Sequence, residues 1–133
     1  TASTFSSLRF LLRVLCVDDD EQALQAMRLL LGGWGAEVEV ASSRLAAEAA
    51  LQQRPFDALV VDLQFDDDPA SDGLSLIARL RALRPDRPPY AILLTADRSS
   101  ELAAAAARAG IPVLHKPMRA ARLRALLEAV RRR

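Results

Sequence analysis

Val14-Leu15-Cys16-Val17-Asp18-Asp19-Asp20-Glu21 is the stretch from which the fold is read. Four apolar residues run without alternation and then give way to four acids. A strand covered on both faces has this continuous apolar character, because neither side of it meets water. Short apolar runs recur at residues 38–40, 58–61, 91–94 and 111–114, several of them continuous in the same way. Helical patterns lie between them. Leu24, Met27 and Leu31 repeat at helical spacing and stop at Gly32-Gly33. Leu74, Ile77 and Leu80 do so ahead of Pro85, and an alanine-rich run over 101–109 closes at Gly110, a residue suited to helix ends. Leu123, Leu127 and Val130 mark a last helix with arginines at 131–133, where cations suit the helix dipole.

Five strand-then-helix units in sequence predict an α/β fold: a parallel sheet with helices on both faces. Right-handed crossovers leave few topologies, and the commonest is the doubly wound five-stranded order 2-1-3-4-5. In that arrangement a ligand sits at the carboxyl ends of the strands, beside the point where the strand order reverses. Residues 1–12, Ser/Thr-rich and then carrying Leu8, Phe10, Leu11 and Leu12, read as a linker, and residues 13–133 as one domain. There is no internal repeat.

Composition narrows the function classes. The chain has 133 residues, 51% of them hydrophobic, enough for a core without staples. Cys16 is the single cysteine, so no internal disulfide can form, and a reducing, cytoplasmic setting is expected. The formal net charge of +1 supplies no field for nucleic acid or an anionic membrane. No apolar run is long enough to span a bilayer, and the start at Thr1 has no secretory character. A chain beginning at Thr1 is what a segment of a longer protein would show. Of the 18 basic residues all but Lys116 are arginine, which hints at a place where a compact ammonium is needed and a planar fork will not serve.

The residues that leave the strands carry chemistry. The first run ends in Asp18, Asp19 and Asp20, the third in Asp62, the fourth in Thr95-Ala96, and the fifth in His115-Lys116-Pro117. The expected strand order brings these ends into one crevice. Clustered carboxylates repel unless a cation neutralises them. An all-oxygen site with room for water suits Mg²⁺. An ammonium and a hydroxyl facing that ion call for an anionic group, and a phosphoryl group fits, since its transfer rests on positioning and charge neutralisation. Asp62, at the end of the central strand, is the expected nucleophile, giving an aspartyl phosphate. Thr95 and the Ala96 amide would bond phosphoryl oxygens and Lys116 would balance their charge.

The segments Val14-Leu15-Cys16-Val17-Asp18-Asp19-Asp20, Leu59-Val60-Val61-Asp62-Leu63, Asp72-Gly73-Leu74, Ile92-Leu93-Leu94-Thr95-Ala96 and Leu114-His115-Lys116-Pro117 resemble the response-regulator receiver family over residues 13–131. The resemblance implies a flavodoxin-like receiver fold and phosphorylation on Asp62. It implies that Asp19, Asp62 and the backbone carbonyl of Gln64 ligate Mg²⁺, with Asp18 acting largely through water. It gives Thr95 and Lys116 the phosphoryl group and allows a cis Lys116–Pro117 bond. Its partners would be a histidine kinase or a histidine phosphotransfer domain, with no nucleic acid and no membrane contact by this domain, and a homodimer left open. Phosphorylation in this family reshapes the face made by the fourth helix, fifth strand and fifth helix. Trp34-Gly35-Ala36-Glu37-Val38 and the stretch from Gly110 to Pro117 are most similar to receivers at the carboxyl end of hybrid sensor histidine kinases.

Two departures stand out. Val113 occupies a position where relatives often carry an aromatic, and the 63–72 loop, with Asp66-Asp67-Asp68, is longer than usual. Other residues have plainer readings. Asp20 suits a helix N-cap. His115 lacks companion metal ligands. Cys16 reads as inert packing, and Trp34 as a cap holding the first helix against the sheet. Arg119, Arg122, Arg124 and 131–133 read as a solvated basic face. Three rival functions remain: a haloacid-dehalogenase-like phosphatase, disfavoured because Gln22 stands where that family has Thr or Val; a flavodoxin-like cofactor binder, disfavoured by four acids where a phosphate loop is needed; and a degenerate receiver that is never phosphorylated.

Overall fold

The computed structural model describes residues 12–62 and 73–131. The linker assigned to 1–12, apart from Leu12, lies outside the described residues, as do Gln64, Asp66-Asp67-Asp68 and Asp72. Ten elements alternate: β1 (Arg13–Val17), α1 (Glu21–Gly33), β2 (Glu37–Ala41), α2 (Arg44–Gln53), β3 (Ala58–Asp62), α3 (Gly73–Ala82), β4 (Tyr90–Thr95), α4 (Ser100–Ala109), β5 (Val113–His115) and α5 (Ala120–Arg131). The strands form one sheet in the order β2-β1-β3-β4-β5, as expected. All four pairings are parallel, with Val17 opposite both Ala41 and Val61, Asp62 opposite Leu94, and Thr95 opposite His115.

The continuous apolar runs follow from burial on both faces. Successive strand residues point to opposite sides, so Leu15, Val17, Leu59, Val61, Ala91 and Leu93 face one layer. There they meet Leu51 of α2 and Leu76, Ile77 and Leu80 of α3. Val14, Cys16, Ala58, Val60, Ile92 and Leu94 face the other, against Leu24, Met27 and Leu31 of α1 and Leu123, Leu127 and Val130 of α5. Leu12 joins this second layer. Each fully buried Leu, Ile or Val contributes about 1.5–3 kcal/mol relative to exposure, so the two layers together hold the strand ends in register.

Helix ends follow side-chain chemistry. Asp20 caps α1, accepting from the Gln22 and Ala23 amides at 2.9 and 3.3 Å. Ser43 and Ser99 cap α2 and α4 in the same way. Gly110 ends α4 at φ 71°, a left-handed conformation that glycine adopts without a Cβ penalty. Gly32 and Gly33 form the last turn of α1, and Trp34 follows as its C-cap. Arg124 of α5 lies 5.4 Å from the Trp34 ring centre, so the tryptophan ties α1 to α5 as well as to the sheet.

Two elements depart from the periodicity reading. The fifth strand begins at Val113, two residues into the apolar run. Pro112 has no amide hydrogen and supplies only its carbonyl, which accepts from Leu93 N at 3.0 Å. Ile111 packs in the layer with α2 and α3. Helix α2 buries Ala47, Ala50 and Leu51, a face so small that its periodicity is faint in the sequence. Among the described residues no helix is long and apolar enough to cross a membrane.

Candidate functional site

Asp18 is the first residue past β1. Its amide donates to Ala41 O at 3.1 Å, so the ends of β1 and β2 are locked together. Its Oδ1 accepts from Asp20 N at 2.9 Å, which folds the acidic turn back on itself. Asp62 closes β3 and is 4% exposed. The two carboxylates, brought side by side by the β1–β3 pairing, interact directly. Burial pushes the Asp18 carboxyl up to about 6, the hydrogen bond from Asp20 opposes that rise, and the neighbouring Asp62 adds to it.

Lys116, the sole lysine, closes the crevice from β5. Its Nζ donates to Asp62 Oδ2 as an ion pair, and its amide donates to Thr95 O at 2.9 Å, which fixes the β5 end against the β4 end. The Lys116–Pro117 bond is cis. Thr95 is wholly buried, and its Oγ1 accepts from Asp97 N at 2.9 Å. That bond uses acceptor capacity only, so the hydroxyl proton stays available to an oxygen ligand. Ala96 follows at the exposed strand exit.

Thus Asp18, Asp62, Thr95, Ala96 and Lys116 come together at the carboxyl ends of β1, β3, β4 and β5. Asp19 stands exposed beside them, while Gln64 lies outside the described residues. Among the described residues no group of three or more His, Cys, Asp or Glu side chains is gathered to hold a metal ion. A hard cation such as Mg²⁺ does not require one, because it keeps several waters and is commonly held by one or two carboxylates. The donor chemistry fits such an ion: two adjacent carboxylates share one ammonium, and the Asp62 charge adds to the rise that burial gives the Asp18 carboxyl.

The plainer readings of Cys16 and Asp20 hold. Cys16 is 1% exposed, and burial raises its thiol to about 12. Asp20 is a cap. Position alone did not reveal that His115, Arg119 and Arg122 share a cavity with Arg98. The signal available in the sequence was the placement of all four beside the fourth and fifth strand ends.

Three comparisons bear on this geometry. The family model described as the response regulator receiver domain matches residues 14–128. The chain is 34% identical over 116 residues to the transcriptional regulatory protein ZraR of Salmonella typhimurium, covering 86% of this chain and 25% of that protein. It is 39% identical over 75 residues to the sensor protein GacS of Pseudomonas syringae, covering 56% of this chain and 8% of that one. The chain therefore spans about a quarter or less of these relatives. A solved response regulator of Burkholderia pseudomallei, crystallised with a phosphorylated aspartic acid, calcium ion and citrate, superposes with a TM-score of 0.76 at 30% identity, covering 88% of this chain and 66% of that one.

Proposed function

The chain belongs to the response regulator receiver domain family, and on that premise we propose that it is a phosphoacceptor module of two-component signalling, modified on Asp62. The observation that carries the proposal is the Lys116–Asp62 ion pair set against Asp18 at the strand ends. A phosphodonor presents phosphorus to the Asp62 carboxylate. One carboxylate oxygen forms the new P–O bond as the bond to the leaving oxygen breaks, and the leaving group departs with that electron pair. Lys116, paired with Asp62 in the unmodified protein, would exchange that carboxylate for a phosphoryl oxygen. Thr95 Oγ1 has a hydroxyl proton to donate, and the Ala96 amide can donate beside it.

Asp18, Asp19 and Asp62, with the Gln64 carbonyl, would hold Mg²⁺. When bound, the ion would supply positive charge to offset the acids and the phosphoryl group. In this proposal residues 13–133 form the receiver unit and 1–12 its linker. The likeness to a sensor protein supports an origin in a hybrid sensor histidine kinase, whose kinase or a histidine phosphotransfer domain would be the phosphoryl source. A reducing, cytoplasmic site of action goes with that role, and a homodimer is compatible with it.

Incubation with acetyl phosphate and Mg²⁺ tests the reading by intact-mass spectrometry. Wild type should gain the mass of one phosphoryl group, while Asp62→Ala should gain none. Absence of the adduct on wild type would favour the degenerate, interaction-only receiver, and equal adducts on both proteins would move the acceptor elsewhere.

A further inference from the structure

Helix α4 lies over the edge of the sheet without filling the space beneath it. Val113 and His115, two residues apart on β5, point to the same side of the sheet, and both line a hollow whose other wall carries Ala103 and Ala106 of α4. Helix α3 fills the same layer with Leu76, Ile77 and Leu80, whereas these alanines offer only methyl groups. A hollow of about 230 Å³ results between α4 and the edge strand. Ala106 and Ile111 within it are buried, and Leu102 and Val113 are half-buried. Water is held poorly in such a place, because it needs about two to four polar partners. Polar side chains are confined to one end. His115 pairs with Thr95 in the β4–β5 register, so it and Asp97 both stand at the carboxyl ends of those strands. Asp97 Oδ1 accepts from Ser99 N at 2.8 Å, which holds its carboxyl below the ordinary range and keeps it ionised at neutral pH. An ionised carboxylate only accepts, and its two oxygens offer about four lone-pair sites. Capacity for a further donor therefore faces the hollow.

Apolar walls with an acceptor at one end suit a flat apolar body that carries a single donor. We propose that this hollow binds a small, neutral aromatic molecule with one N–H or O–H group, such as an indole or a phenol. The ring lies between the alanines of α4 and the side chains of Ile111 and Val113, and the donor reaches the Asp97 carboxylate. Size agrees with this occupant. An apolar cavity of about 150 Å³ takes up benzene, so the larger hollow has room for a ring with a fused or polar extension. The ring displaces poorly held water, which favours binding. An anionic aromatic fits less well, because its charge would meet that of Asp97. The inference is independent of phosphorylation on Asp62, since none of the groups it uses touches that carboxylate.

The test titrates indole into the whole, isotopically labelled chain and follows methyl signals by NMR. Signals of Leu102, Ala106, Ile111 and Val113 should shift and saturate, with a Kd of about 1 mM or tighter. Benzofuran, which has the same shape and no donor, should bind at least about fivefold more weakly. Val113→Phe places a ring of its own in the hollow and should weaken indole binding by at least about tenfold. Ala103 is exposed at the rim, so Ala103→Leu should give the same loss in a smaller step, which keeps the test intact if Val113→Phe disturbs the fold. Leu29 and Leu45 are exposed apolar side chains on α1 and α2, and Leu29→Ala should stay within about twofold of wild type. Four results would overturn the proposal: no saturable shift at α4 and β5, equal shifts at Leu29 and Leu45, undiminished binding by both hollow variants, or benzofuran binding as tightly as indole.

Discussion

Replacing Asp18 by Asn should stabilise the metal-free protein at neutral pH while weakening its response to Mg²⁺. Burial and the Asp62 charge raise the Asp18 carboxyl from 3.8 to about 6. The folded protein therefore holds a proton that the unfolded chain has released. Stability then falls as pH climbs from about 4 to about 6, and the full loss is present above that window. At 1.36 kcal/mol per pH unit the difference amounts to about 3 kcal/mol. Asp18 is 9% exposed and followed by the exposed Asp19 and Asp20, so screening by nearby water reduces this to about 1–2 kcal/mol. Asparagine keeps an oxygen to accept from Asp20 N and removes the charge. In EDTA at about pH 7.5, urea unfolding should show the variant more stable by that amount, or about 4–8 °C in Tm. At about pH 3.5 the two proteins should coincide. With excess Mg²⁺ the wild type should gain more stability than the variant, because ligand binding to the folded state adds to its stability. A variant less stable than wild type at neutral pH, or a gap that does not change with pH, would refute the reasoning.

Other consequences are as direct. Cys16, buried and with its thiol raised to about 12, should resist Ellman's reagent in the native state and react fully in denaturant; rapid native labelling would contradict the packing. Asp57 accepts from Arg13 N at 2.7 Å and from Arg87 at 3.2 Å, so Asp57→Ala should lower unfolding free energy by about 1–3 kcal/mol in urea titrations. Val113 borders an apolar hollow of about 230 Å³ with Leu102, Ala106 and Ile111. Val113→Phe should therefore be accepted there, with stability within about 1 kcal/mol of wild type by thermal melting. Lys116→Ala should cut the rate of Asp62 labelling by acetyl phosphate by at least about tenfold, with wild-type circular dichroism.

Much of the fold was legible because the central strands β1, β3 and β4 are sealed on both faces. Val14 and Cys16 serve one layer and Leu15 and Val17 the other, so the run could only be apolar throughout. The strand ends were legible for the opposite reason: Asp18, Asp62, Thr95 and Lys116 break apolar runs at points a parallel sheet must bring together. Less was visible where side chains are small or the backbone decides. Helix α2 hides behind Ala47 and Ala50, and the start of β5 depends on Pro112 offering a carbonyl but no amide. The pairing state of arginines was not legible at all. Arg119 and Arg122 are exposed, as a solvated face requires, and the loops also set them around a cavity with Arg98.

A crystal structure grown with Mg²⁺ and beryllium fluoride, a mimic of the phosphoryl group, addresses the site most directly. The fluoride adduct should sit on an Asp62 oxygen, with Lys116 Nζ and Thr95 Oγ1 on its fluorines and the metal between Asp62 and the acids after β1. An adduct on another carboxylate, or a metal bound away from Asp18, Asp19 and Asp62, would contradict the account.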